Sequence, residues 1–272
     1  MYPSAFEYHR VVSIKEAASL FEELGDATFL AGGHTLIPAM RNRLASPAAL
    51  IDVGGIPDLH GISLSGQTLV IGAATTHASV AGSAIVHDGI PALGLLAGSI
   101  ADPQVRNMGT IGGSVANNDP SADYPAAVLG LDATIVTSKR CIVARKFFDG
   151  LFTTALESGE LILRLEFPVP LIAGYAKLRS QASRYAAAGS FVVRNKTSVG
   201  VAVTGAGSNG VFRWGQAETA LLEKFEIESL RHANLDPNAL ITDIHGDARY
   251  RAALVAEVTR RAIAHMGSAC IS

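Results

Sequence analysis

Hydrophobic residues in the N-terminal part of the chain follow two different spacings. Over residues 14–24 they recur on one face at helical spacing, behind a capping box formed by Ser13 and Glu16, which predicts a helix. Residues 27–31 then form a mostly apolar run that ends at Gly32-Gly33 and predicts a buried strand. This part of the chain therefore mixes helix and strand.

The same mixture continues to residue 136 without a regular βαβ repeat. We predict a strand over 51–53, a hairpin over 62–71, helices over 77–86, 91–100 and 125–131, and a strand over 133–136. The stretch 101–122 is rich in Gly, Asn, Asp and Ser and is too long for an ordinary connection. Its spaced apolar residues favour an ordered functional loop.

Apolar and charged positions alternate over residues 160–167 and predict a half-buried strand, which Pro168 and Pro170 end. We place a domain boundary there. It separates residues 1–168, with parts at about 1–58 and 59–168, from a smaller domain at 169–272. In the smaller domain we predict strands over 191–193, 199–203 and 211–214 and helices over 217–225 and 247–266. The predicted fold class is α+β.

Composition narrows the range of partners. With 49% apolar residues among 272, the chain can bury a core. A net charge of -2 without a basic block argues against nucleic acid as a partner. No apolar run reaches the roughly 18 to 20 residues of a membrane helix, and the first residues lack a targeting pattern, so we expect a cytoplasmic protein without a membrane span.

Two cysteines, Cys141 and Cys270, lie far apart in the sequence. They cannot supply four thiolates for an iron–sulfur cluster or form a CxxC pair, so any such centre must belong to another chain. We expect both to be small buried hydrophobic residues in a reducing compartment.

Two glycine-rich segments carry the strongest chemical signal. The first glycine segment is AGGHTLIP, residues 31–38, directly after the predicted strand, where paired glycines let backbone N–H groups converge on an anion such as a pyrophosphate. An ordinary tight turn is the alternative, since neither the GxGxxG nor the P-loop pattern is present. The second glycine segment, NMGTIGGS, residues 107–114, repeats this chemistry and adds the hydroxyls of Thr110 and Ser114. Two such segments suit a long, doubly phosphorylated ligand.

Other polar residues suggest no separate catalytic site. His34 has no second ligand at metal spacing, and we expect His77 and His87 at surface or helix-cap positions. No serine has a GxSxG elbow or a paired base. Asp119 and Asp123 are expected as turn or cap residues, although Asp123 could instead accept hydrogen bonds from ribose hydroxyls.

Three stretches carry a resemblance to a known family: AGGHTLIPAMRNRLASPAALIDVGGIPDL, DPQVRNMGTIGGSVANNDPSADYPAAVLGLDA and FFDGLFTTALESGELI. They resemble the medium, FAD-binding subunit of the carbon monoxide dehydrogenase and xanthine dehydrogenase family of molybdenum hydroxylases. The resemblance runs from near the N-terminus to the final helix. It implies a two-part PCMH-type FAD-binding domain followed by a smaller C-terminal α+β domain of the carbon monoxide dehydrogenase flavoprotein type.

The resemblance also implies which residues contact FAD. Both glycine segments would hold the pyrophosphate, and valine at Gly33 or Gly112 should then abolish binding by filling the space of a phosphate. Asp123 would lie at the adenosine end and Ile162 near the flavin. Lys177 or Tyr185 would lie beside the isoalloxazine, with ordinary packing as the alternative for Tyr185. The implied contacts are Ala31, Gly32, Gly33, His34, Thr35, Leu36, Ile100, Gly109, Thr110, Ile111, Gly112, Gly113, Ser114, Asn117, Asp123, Ile162, Lys177 and Tyr185.

The implied function is electron transfer within a larger complex. A large subunit with the molybdenum cofactor would hydroxylate the substrate, and a small subunit with [2Fe-2S] clusters would pass electrons to the FAD of this chain. The FAD would deliver them to an external acceptor, in a dimer of heterotrimers, without a catalytic side chain or a metal ligand from this chain. Two alternatives stay open: a free-standing flavin oxidoreductase with its own small substrate, and a non-enzymatic assembly or nucleotide-binding subunit.

Overall fold

The computed structural model describes residues 2–181, 183–244 and 246–266. Within these ranges the strands are β1 Glu7–Arg10, β2 Ala27–Leu30, β3 Ala49–Asp52, β4 Ile62–Ser65, β5 Thr68–Gly72, β6 Thr134–Thr137, β7 Cys141–Val143, β8 Ile162–Pro168, β9 Ile172–Arg179, β10 Ala186–Arg194, β11 Val199–Thr204 and β12 Phe212–Arg213. The α-helices are α1 Ile14–Leu24, α2 Leu36–Arg41, α3 His77–Gly82, α4 Ala84–Gly89, α5 Pro91–Gly98, α6 Pro103–Met108, α7 Ile111–Asn117, α8 Tyr124–Gly130, α9 Gly215–Glu223 and α10 Ala248–Ala264.

The first sheet is parallel, with the strand order β1-β3-β2, and α1 packs beside it. The hydroxyl of Ser13 accepts a hydrogen bond from the Glu16 N–H, and the Glu16 carboxylate accepts one from the Val12 N–H. This confirms the predicted capping box. Strand β1 was not predicted, because its residues, EYHR, are polar and mostly exposed and show no apolar alternation.

The second sheet is antiparallel, with the order β4-β5-β8-β6-β7, and it contains the predicted hairpin of β4 and β5. The apolar side chains of β5, β6 and β8 pack against those of α3, α5, α7 and α8 in the largest core cluster. The single helix predicted over 77–86 is wrong. Ser83 ends α3 and its hydroxyl accepts a hydrogen bond from the Val86 N–H, which starts α4.

The extended loop predicted over 101–122 is also wrong, because two short helices occupy most of it. The Asp102 carboxylate accepts a hydrogen bond from the Val105 N–H at 3.0 Å, and Pro103 occupies the first turn of α6. The Thr110 hydroxyl caps α7 by accepting from the Gly113 N–H at 3.1 Å. These two caps outweigh the low helix propensity of the glycines and asparagines.

The third sheet is antiparallel, with the order β12-β11-β10-β9, and joins two cores. Because side chains alternate along a strand, Phe191 and Val193 of β10 face α8 and the second sheet, whereas Val192 faces α10. Ser190, on that same face, hydrogen bonds to Thr259 of α10 at 2.9 Å. Strand β9 was not predicted, and β10 begins five residues before the predicted strand at Phe191. The domain boundary near residue 168 stays a prediction.

Candidate functional site

A cavity of about 490 Å³ lies between the first sheet and the helices that follow Ile100. The end of β2 with the first glycine segment forms one wall, and α6 and α7 with the second glycine segment form another. Further lining comes from Arg184 and Tyr185, in the turn between β9 and β10, and from Leu156, Glu160, Leu161 and Ile162. Parts of the chain that are distant in sequence thus enclose one site.

The first glycine segment presents unpaired backbone donors to this cavity. Strand β2 ends at Leu30 and α2 begins at Leu36, so the residues between them form a turn. Gly33 has a φ of 71°, a left-handed conformation that glycine adopts without strain. No described residue accepts a hydrogen bond from the N–H groups of residues 32–35, which all line the cavity. Anionic oxygens of a ligand would satisfy these donors.

The second glycine segment differs from the prediction, because the N–H groups of residues 111–114 already have partners. The first two residues of α7 donate to the backbone carbonyls of Thr75 and Ala73, at 3.0 and 2.9 Å. The N–H of Gly113 donates to the Thr110 hydroxyl, and that of Ser114 donates to the Thr110 carbonyl. The segment therefore offers the cavity the side chains of Thr110 and Ser114 rather than a second nest of free N–H groups.

The glycines of the two segments also permit close backbone packing. A Cβ on Gly32 would lie 2.8 Å from the Cα of Gly109 in the other segment. A Cβ on Gly112 would lie 2.5 Å from the Cβ of Ala73, and one on Gly33 would contact Ile37 at 3.3 Å. Valine at Gly33 or Gly112 would therefore meet protein atoms, so steric conflict within the protein is a second reason to expect loss of FAD from these variants.

Most predicted contact residues line the cavity. The exceptions are Ile111, which is fully buried in the core of the second sheet, and Lys177, which lies behind Asp123. Tyr185 is 47% exposed and lies at the cavity wall, which argues against the alternative of ordinary core packing. The predicted lining residues are Ala31, Gly32, Gly33, His34, Thr35, Leu36, Ile100, Gly109, Thr110, Gly112, Gly113, Ser114, Asn117, Asp123, Ile162 and Tyr185.

Asp123 connects the cavity wall to the third sheet. Its buried carboxylate accepts hydrogen bonds from the Tyr175 hydroxyl and, at 2.8 Å, from the Lys177 ammonium. Burial raises the pKa of Asp123 and lowers that of Lys177, and their pairing opposes both shifts. Asp123 begins α8 without capping it. Because Asp123 and Lys177 touch, Asp123 cannot lie at the adenosine end while Lys177 lies beside the isoalloxazine, so these two expectations do not hold together.

His77 is buried and lines the cavity, so its expected surface or cap position is wrong. Its ring lies beside Tyr124, with centroids 5.3 Å apart, and against Gly109. Burial, together with the nearby His34 and Arg106, lowers the pKa of His77 to about 4, so the imidazole is neutral at pH 7. His87 is exposed, as expected.

Sequence reasoning missed several other lining residues, including Phe29, Glu160 and Arg184. Phe29 lies in the predicted strand, and the alternation of strand faces could have assigned it. Glu160 is buried and accepts hydrogen bonds from the Thr137 hydroxyl at 2.6 Å and from Arg140. Thr137 and Arg140 lie about twenty residues upstream of Glu160 in the sequence, so no local sequence pattern predicts these contacts.

Cys141 is exposed in the edge strand β7, so the expectation of a buried thiol is wrong for it, and Cys270 lies outside the described residues. Among the described residues, no three His, Cys, Asp or Glu side chains group as metal ligands would. Within residues 2–181, 183–244 and 246–266, no helix has both the length and the hydrophobicity that spanning a membrane requires.

Comparison with known proteins decides the family. Residues 4–170 match the family described as the FAD binding domain in molybdopterin dehydrogenase. The carbon monoxide dehydrogenase medium chain of Hydrogenophaga pseudoflava is 37% identical, over 97% of this chain and 97% of that one. The chain belongs to the FAD-binding medium subunits of the molybdenum hydroxylase family.

Further relatives agree with this assignment. The medium subunit is 32% identical to the 6-hydroxypseudooxynicotine dehydrogenase complex subunit alpha of Paenarthrobacter nicotinovorans, over 97% of this chain and 95% of that one. A solved structure of reconstituted CO dehydrogenase from Oligotropha carboxidovorans is 35% identical, with a TM-score of 0.90 and coverage of 97% and 98%. The predicted family, the α+β fold, FAD as the cofactor and the role of an oxidoreductase subunit are thereby confirmed.

The cavity of the medium subunit suits FAD chemically. Unpaired N–H groups at residues 32–35 match the anionic oxygens of a pyrophosphate. The hydroxyls of Thr35, Thr110 and Ser114 provide additional donors on the same walls. Apolar side chains such as those of Ile100 and Ile162 can cover the rings of a dinucleotide.

Proposed function

We propose that the medium subunit binds one FAD in this cavity, with the pyrophosphate on the N–H groups of residues 32–35. The cluster of unpaired donors at the first glycine segment carries this proposal, because four consecutive N–H groups that line the cavity and lack a protein acceptor form a nest for an anionic oxygen. Thr110 and Ser114 would contact the same group from the opposite wall. Bound FAD would supply the redox chemistry, while the protein fixes its position and surroundings.

We infer the orientation of FAD from the connection between the cavity and the third sheet. We place the flavin toward Asp123, Ile162 and Tyr185, because the third sheet reaches the cavity there through Tyr175 and Lys177. The adenosine would then lie toward Leu36 and Ile100. In this placement Lys177 acts through Asp123, whose carboxylate it holds in position at the cavity wall.

The medium subunit would act as an electron relay. Electrons would arrive from iron–sulfur clusters on a small partner subunit and leave to an external acceptor, while a large molybdenum-cofactor subunit transforms the substrate. The relatives support this division of labour, because subunits of similar sequence serve a carbon monoxide dehydrogenase and a 6-hydroxypseudooxynicotine dehydrogenase complex. Substrate choice would therefore depend on another chain. We propose a dimer of heterotrimers for the assembly.

Native purification through a tag on this chain tests the proposal. We expect one FAD per chain, together with co-purified subunits that carry molybdenum and iron. A yellow protein that is free of both metals and oxidises a small substrate alone would support a free-standing oxidoreductase instead. Purification with metal-bearing partners but without flavin would support a purely structural subunit.

A further inference from the structure

Two buried polar groups without partners lie side by side at the edge of the cavity. The ring centroids of His77 and Tyr124 are 5.3 Å apart, and both side chains are almost completely buried. The Tyr124 hydroxyl and the Nδ1 of His77 are enclosed, and neither has a hydrogen-bond partner among the described residues. Since buried polar atoms are rarely unpaired, these two atoms indicate a hydrogen-bonding arrangement that a ligand or an internal water completes.

The other nitrogen of the His77 ring, Nε2, differs from Nδ1, and the residue lines the cavity. Nε2 is not enclosed, and no described residue hydrogen bonds to it. The ring edge that carries Nε2 packs on Gly109, where an added Cβ would stand 2.7 Å from this nitrogen. The backbone N–H of His77 donates a hydrogen bond to the backbone carbonyl of Gly109 at 2.9 Å, which fixes the residue to the second glycine segment. His77 is thus held rigidly at the proposed FAD site.

We propose that His77 is a further FAD-binding residue whose Nε2–H donates a hydrogen bond to an oxygen of bound FAD. In this arrangement the Tyr124 hydroxyl donates to Nδ1 through one internal water, and so fixes the tautomer that carries its proton on Nε2. The inference rests on the proposed FAD site. Tyr124 acts through His77 and is a positioning residue.

The electrostatic environment supports this division of roles. A neutral imidazole has one donor and one acceptor nitrogen, and the partner of one nitrogen decides which of them carries the proton. Burial keeps His77 neutral by lowering its pKa to about 4, and it raises the pKa of Tyr124, so the phenol keeps the proton that it donates. The charged or titratable groups near the imidazole are His34, Arg106 and Tyr124.

Titration of FAD into the deflavinated full-length chain tests the inference with three variants. His77→Leu removes both ring nitrogens, and its FAD dissociation constant should rise roughly 3- to 10-fold, the equivalent of one hydrogen bond. The matched variant His77→Gln keeps an amide donor near the Nε2 position and should recover most of the affinity. Tyr124→Phe keeps the ring and should weaken binding by a smaller factor.

A second readout is the tautomer itself, measured from the imidazole nitrogen shifts of histidine-labelled chain with FAD bound. We expect the proton on Nε2 in the native chain and a mixture of tautomers in Tyr124→Phe. A proton on Nδ1 of the native chain, or native affinity in a folded His77→Leu, would overturn the inference. If His77→Leu does not fold, His77→Gln and the native tautomer decide. Failure of the native chain to bind FAD would instead overturn the proposed function.

Discussion

The backbone of Gly32 lies directly against that of Gly109, so that a Cβ on Gly32 would stand 2.8 Å from the Gly109 Cα. This contact joins the end of β2 to the turn between α6 and α7. It also brings together the two glycine segments, which are distant in the sequence. The shape of the cavity therefore depends on the absence of a side chain at Gly32.

The first prediction concerns Gly32→Ala. The added methyl group would overlap the backbone of Met108 and Gly109, which must move apart, and overpacking of this kind costs about 1 to 3 kcal/mol. We expect a lower midpoint in chemical denaturation and loss of FAD from the purified protein. Gly82→Ala is the matched control, because nothing lies within 4 Å of a Cβ at that helical position. Equal stability and flavin content in both variants would contradict the role given to Gly32.

A second prediction follows from the buried, neutral His77. Its pKa is about 4 in the folded chain and about 6.5 when unfolded, so the unfolded chain binds more protons between these values. The free energy of unfolding should therefore rise with pH from 4 to 6.5, by about 3 kcal/mol at most from this group. Carboxylates titrate in the same range, so the quantity to measure is the difference between native chain and His77→Gln. A difference that is independent of pH would contradict the buried neutral state.

The third prediction concerns the buried pair of Asp123 and Lys177. Lys177→Met leaves the Asp123 carboxylate buried without its cation and should destabilise the chain by about 3 to 5 kcal/mol. Adding Asp123→Asn should restore much of this loss, because the uncompensated charge disappears. Urea denaturation of the two single variants and the double variant measures the coupling. Additive effects would show that the two side chains do not interact.

A fourth prediction concerns the exposed thiol of Cys141. In a Cys270→Ser background, Cys141 should react with a thiol reagent in the folded protein about as fast as in denaturant, because the residue is exposed on β7. Cys141→Ser should change the free energy of unfolding by less than about 0.5 kcal/mol. Protection of the thiol in the folded chain would indicate that another surface covers this strand.

Local signals in the sequence account for much of the fold. The capping box of α1 and the hairpin of β4 and β5 follow from a few neighbouring residues, and the sequence predicted both. Helices α6 and α7 were not predicted, because their segment is rich in residues of low helix propensity. The side-chain caps at Asp102 and Thr110 stabilise these helices nevertheless.

Some features of the site could likewise be predicted from the local sequence, and others could not. The glycine positions could be predicted, because paired glycines after a strand form a compact local motif. The burial of His77 could not, since it depends on Tyr124 and Gly109, which contact it only in the folded chain. The ion pair between Asp123 and Lys177 likewise depends on the packing of the third sheet against α8, so no local sequence pattern predicts it.

The most direct test of the account is the reoxidation of the iron–sulfur clusters in the purified complex. The complex is reduced anaerobically with dithionite and mixed with a two-electron acceptor, in a flavin-containing and a deflavinated form, while the cluster absorption is followed. If the medium subunit relays electrons through FAD, the clusters should reoxidise rapidly only in the flavin-containing form, and adding FAD back should restore the rate. Equal rates with and without FAD would contradict the relay.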